Sequence, residues 1–150
     1  MPEITSAAKI EHLERLVAFV ADRAETAGFQ IQRIKEIELA AEEVLVNIFS
    51  YAYPGTEGDV WIECRAEDDF RLVLQISDNG PPFNILEVPD PDVSADISDR
   101  QVGGLGVFFV REMSDEARYR REGDRNVLTL IFDKYRQGAE GRRRVGHVEK

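Results

Sequence analysis

A chain of 150 residues with 43% apolar and 32% charged side chains is long enough for one domain with its own core, and too apolar to stay disordered. Its net charge of −10 excludes a general affinity for nucleic acid, which needs a basic surface against the phosphates. The single cysteine, Cys64, excludes an internal disulfide, and no apolar run approaches the roughly 18 residues that span a bilayer.

Met1 to Lys9 carries no basic stretch followed by an apolar one, so no secretory signal and a cytoplasmic location are expected. Residues 9–27, KIEHLERLVAFVADRAETA, repeat apolar side chains at Ile10, Leu13, Leu16, Val17, Val20 and Ala24. Steps of three and four predict an amphipathic helix, with Ser6 as its N-cap and Gly28 as its stop. Residues 31–52 predict a second helix, its buried stripe formed by Ile34, Ile37, Ala41, Val44, Leu45 and Ile48. Tyr53-Pro54-Gly55 ends it, because proline cannot continue a helix.

The period then changes. Residues 60–66 and 70–76 predict two strands joined by the acidic turn Glu67-Asp68-Asp69, with Cys64 inside the first as a small buried side chain. Residues 78–83, DNGPPF, predict a turn. Residues 84–102 hold two prolines and the acidic Glu87, Asp90, Asp92, Asp96 and Asp99, with little periodicity, and predict a long lid-like loop. A helix over 107–113 opens after Gly103-Gly104-Leu105-Gly106, and residues 117–121 and 126–132 predict a final hairpin. Arg118, Arg120 and Arg121 fall on its first strand, while Arg142, Arg143 and Arg144 fall in a polar tail over 137–150. Residues 1–136 thus form one α+β domain, a two-layer sandwich with helices on one face of a mixed, mostly antiparallel sheet.

Three segments carry chemistry. Glu43 and Asn47 stand four apart on the second helix, hence on one face. The carboxamide oxygen of Asn47 suits magnesium, a hard cation, and Glu43 suits proton abstraction. Asp78 follows a strand and can accept a hydrogen bond from an exocyclic amine, while Gly80 lets a flat ring approach its backbone. Gly104, Leu105 and Gly106 precede a helix, whose N-terminus favours phosphate. No Gly-Lys-Ser/Thr follows, so this is not a Walker loop.

Together and in this order, Glu-x-x-x-Asn, Asp-x-Gly and Gly-Gly-Leu-Gly resemble the N, G1 and G2 boxes of the GHKL (Bergerat-fold) ATPases. IELAAEEVLVNIFSYAYPG, LVLQISDNGPPFN and GGLGVFFVREMSDEARYRREGDRNVLTLIF look like the landmark stretches of the anti-sigma-factor serine/threonine kinases, over residues 8 to 133. That resemblance implies ATP and magnesium as ligands, with Glu43 as catalytic base, Asn47 as magnesium ligand and Asp78 with Gly80 at the adenine. It implies Gly104, Leu105 and Gly106 at the phosphates, with Arg100 the one cation of an acidic lid. It implies a kinase that phosphorylates a STAS-domain anti-anti-sigma partner, sequesters a sigma factor and acts as a homodimer, binding neither nucleic acid nor membrane. Arg15 falls near the sigma-contacting part of the family's first helix. Tyr51 stands where relatives often carry histidine. The alternative is a regulatory module that binds nucleotide and captures a partner without transferring phosphate.

Overall fold

The structure, a computed structural model, describes residues 3–52, 58–87 and 104–135. Strand β1 (Glu3–Ala7) leads into helices α1 (Leu13–Thr26) and α2 (Ile31–Asn47), then strands β2 (Asp59–Glu67) and β3 (Arg71–Asp78). Helix α3 (Gly104–Met113) and the hairpin of β4 (Glu116–Glu122) and β5 (Arg125–Asp133) complete the order. The five strands form one sheet in the order β1-β2-β3-β5-β4, and every described pairing is antiparallel.

Helix α2 is the keel of the helical layer, flanked by α1 and α3. Its predicted stripe is all buried, with Ile37, Ala41 and Leu45 fully so. Opposite it, the period-two stripes Val60-Ile62-Cys64, Leu72-Leu74-Ile76 and Leu128-Leu130-Phe132 line the helix-facing side of the sheet. A void at Leu45 would cost roughly 2–5 kcal/mol, because close-packed neighbours relax only partly. Cys64 is fully buried there, and burial pushes its thiol up to about 12, as befits a packed side chain.

The turns follow their residues. Asp68 and Asp69 take φ of 55° and 65°, conformations that aspartate tolerates better than most residues. Gly28 ends α1 with φ of 92°, as its sequence position suggested. Gly123 takes φ of 61° at the first of the two residues joining β4 to β5, the glycine position of a tight hairpin.

Some boundaries differ from the sequence expectation. Ser6 is no helix cap: it lies in β1, opposite Val60 of β2, and its hydroxyl bonds Ala7 O and accepts from Arg15 Nη2. A sheet edge supplied by β2 draws the short polar stretch EITSA into a strand that its own alternation does not announce. The first helix consequently begins at Leu13, after a 3₁₀ turn over Ile10–His12, and Ile10 is left 61% exposed. Strand β3 runs on to Asp78, so that residue closes a strand instead of opening a loop. The glycine segment is the first turn of α3 and not a loop ahead of it. The predicted helix stop at Tyr53-Pro54-Gly55, the loop from residue 88 to 102 and the tail over 137–150 lie outside the described residues.

Candidate nucleotide site

The helix-facing stripes of β3 and β5 end on polar residues. Asp78 follows Ile76 in step, Asn126 precedes Leu128 in step, and the two sit directly opposite each other in the ladder. Both are 5% exposed. Buried polar atoms need partners, and the pair supplies them: Asn126 Nδ2 donates to Asp78 Oδ1 at 3.0 Å. The backbone N–H of Gly80 donates to the same oxygen at 2.9 Å, closing a local turn. Burial raises the Asp78 carboxyl above its ordinary range, opposed by the bond from Asn126, the bond from Gly80 and the guanidinium of Arg121.

The end of α2 brings Asn47 to the same place. Its Nδ2 donates to the carbonyl of Glu43 one turn back, at 2.9 Å, and the residue is 4% exposed. Among the described residues no hydrogen bond reaches Asn47 Oδ1. The backbone then widens into a single π-type turn over Ile48–Ala52, a feature common at functional sites. Glu43 is half-buried, and burial followed by the adjacent Glu42 charge raises its carboxyl above the ordinary value.

These elements enclose one pocket. Val44, Asn47 and Ile48 form one wall, Ile76, Asp78, Asn126 and Leu128 the floor, and Phe83, Ile85 and Tyr119 the rim. The apolar walls suit the faces of a flat ring, and the polar groups are few and convergent, as in small-molecule sites. An oxygen without a partner at Asn47 fits a hard cation. Among the described residues no three His, Cys, Asp or Glu gather to cage a metal.

Asn47 and Asp78 therefore meet in one pocket, and Gly80 adjoins it. Glu43 lies one turn back on α2, outside the lining. Gly104, Leu105 and Gly106 open α3, which packs beside α2. Arg100 lies outside the described residues. The sequence reading missed Asn126, Tyr119 and Arg121. Tyr119 Oη donates to Asn126 Oδ1 at 2.5 Å, and Arg121 Nη1 donates to Gly80 O at 2.8 Å. A signal for Asn126 was present: it continues the Leu128-Leu130-Phe132 alternation, so a polar side chain was due on a buried face.

The comparisons place the chain among known proteins. The chain matches the histidine kinase-like ATPase domain over residues 6–132. It is 31% identical over 116 residues to the serine-protein kinase RsbW of Listeria monocytogenes serovar 1/2a, covering 73% of each chain. It is 25% identical over 139 residues to the serine-protein kinase RsbW of Bacillus cereus strain AH187, covering 90% of this chain and 84% of that one. The crystal structure of the RsbU and RsbW domains of Rv1364c from Mycobacterium tuberculosis shares the fold, with a TM-score of 0.61 and 15% identity. That match covers 91% of this chain and 34% of the other. The chain belongs to the histidine kinase-like ATPase (GHKL) family, in its branch of anti-sigma-factor serine/threonine kinases. An ATPase domain of this kind implies a site for ATP.

Proposed function

We propose that this protein is an ATP-dependent serine/threonine kinase that phosphorylates a STAS-domain anti-anti-sigma partner and sequesters a sigma factor. The observation that carries the reading is the meeting of Asn47 and Asp78 in one apolar pocket, each with a side-chain oxygen that no described residue claims.

Asp78 would accept the exocyclic amine of adenine, with the ring between the α2 wall and Leu128. Asn47 Oδ1 would hold magnesium, which supplies charge neutralisation across the phosphate oxygens when bound. The N–H groups that open α3 at Gly104, Leu105 and Gly106 would face the phosphate tail, with Arg100 as a further cation. Glu43 would orient the partner's hydroxyl and take its proton. A carboxylate raised above its ordinary value by burial is a better base for that step than a solvated one. The same family resemblance supports a homodimer as the working form.

Labelled ATP, magnesium and candidate STAS proteins test the reading directly. Transfer to a partner serine or threonine is expected, and Glu43→Ala should lower its rate by about 10²–10⁴-fold while ATP still binds. Asn47→Ala should weaken the magnesium-dependent part of ATP binding. ATP binding with no transfer to any cognate partner would favour the capture module over the kinase. Failure to bind ATP or ADP with magnesium would remove both.

A further inference from the structure

Asn126 turns its whole hydrogen-bonding capacity on the protein. Its Nδ2 donates to Asp78 Oδ1 at 3.0 Å and to Pro81 O at 2.9 Å. Its Oδ1 accepts from the Phe83 N–H at 3.0 Å, from Tyr119 Oη at 2.5 Å and from Arg121 Nη1 at 3.3 Å. A carboxamide has two N–H groups and two lone pairs, so none remains for a ligand. Asn126 lines the pocket nonetheless.

The consequence falls on Asp78. Its Oδ1 is gripped by Gly80 N–H on one side and Asn126 on the other, so the carboxylate cannot rotate freely. Its Oδ2 accepts nothing among the described residues. We propose that Asn126 is the positioning residue for base selectivity: by pinning Asp78 through one oxygen, it aims the other at the exocyclic amine of the purine.

Tyr119 and Arg121 brace Asn126 from β4, so an edge strand tunes the aim of a carboxylate that it does not itself bond. The apolar contacts that Val44, Ile48, Ile76 and Leu128 of the lining would offer a purine ring have no such directionality. Loss of Asn126 should therefore spare the ring contacts and lose the amine contact. This inference rests on the nucleotide reading of the pocket.

Calorimetric titration of the full chain with magnesium compares ATP with purine riboside triphosphate, which lacks the 6-amino group. In Asn126→Ala the affinity for ATP should fall about tenfold, the scale of one hydrogen bond to a charged group, while the analogue changes less than about twofold. The preference for ATP then collapses. A merely structural role would weaken both nucleotides alike, and an unchanged ratio in a folded Asn126→Ala protein overturns the proposal. Thermal denaturation without nucleotide reports folding. Should that variant not fold, Tyr119→Phe removes one brace without opening a void. It should lower the ratio a few-fold, roughly one neutral hydrogen bond's worth, and a ratio held at the wild-type value overturns the proposal. Asp78→Ala separates the levels. If it leaves the ratio unchanged, the pocket reading itself fails. If it collapses the ratio while the Asn126 and Tyr119 variants do not, the positioning role alone fails.

Discussion

At the start of α2, Arg33 is 5% exposed and all three guanidinium nitrogens are engaged; at its end, Asn47 is 4% exposed and its carbonyl oxygen meets nothing among the described residues. Arg33 Nε donates to Asp133 O at 3.0 Å, Nη1 to Glu36 at 2.6 Å and to Met113 O at 2.8 Å, and Nη2 to Asp115. The Asp115 carboxylate also accepts the N–H of Asp133 at 2.7 Å, and the guanidinium lies 5.3 Å from the Phe132 ring centre. The two clusters sit roughly 20 Å apart along the helix. Both break the apolar pattern of the core. The difference lies in their open valences: every guanidinium nitrogen of Arg33 is engaged and ties α2 to α3 and β5, whereas the Asn47–Asp78 end keeps acceptor oxygens facing a pocket. On this helix, incomplete bonding marks the end that faces a pocket, and complete bonding marks the end that ties elements together.

The largest test of that contrast is Arg33→Ala. The buried Arg33–Asp115 ion pair is broken, and the loss should be about 3–5 kcal/mol of folding free energy by chemical denaturation. ATP affinity measured on the folded fraction should hold, because distant sites act independently. A variant that keeps its stability but loses ATP would invert the assignment of the two ends.

Next is Asp78→Ala. It should weaken ATP by roughly 10–100-fold, the scale of a charged hydrogen bond, and narrow the preference for adenine over guanine. Stability should fall by about 1–3 kcal/mol, because the Asn126 amide and the Gly80 N–H lose a buried acceptor. Unchanged nucleotide selectivity would refute the adenine assignment.

The smallest effect concerns pH. Burial raises both Asp78 and Glu43 above their ordinary values of 3.8 and 4.5. Each therefore binds its proton more readily folded than unfolded. Its contribution to stability is complete below the unfolded value and is lost as pH rises through the folded one. Denaturation free energies for Asp78→Asn with Glu43→Gln should accordingly fall less steeply than wild type as pH rises from about 4. A curve superimposable on wild type would show that the pocket end imposes no such strain.

Much of this was legible in the chain. The stripe Ile34-Ile37-Ala41-Val44-Leu45-Ile48 set the keel helix, and the alternation over 70–76 and 126–132 set the central strands, because burial on one face imposes a period on the residues. Asn47 and Asp78 stood out as polar residues at the ends of those patterns. The strand at Glu3–Ala7 did not, because an edge strand is fixed by the partner it pairs with. Nor did the Arg33–Asp115 lock, whose members lie 82 residues apart.

By itself, then, the sequence determined the periodicities, the turn residues and the chemical types available: a carboxamide on a helix, a carboxylate after a strand, glycines at a helix start. Only the tertiary structure decided which buried polar side chains close upon one another and which keep an oxygen for a ligand. Periodicity is a local property of consecutive residues. The satisfaction of a donor or acceptor depends on groups brought in from distant strands, such as Asn126 to Asp78 and Asp115 to Arg33.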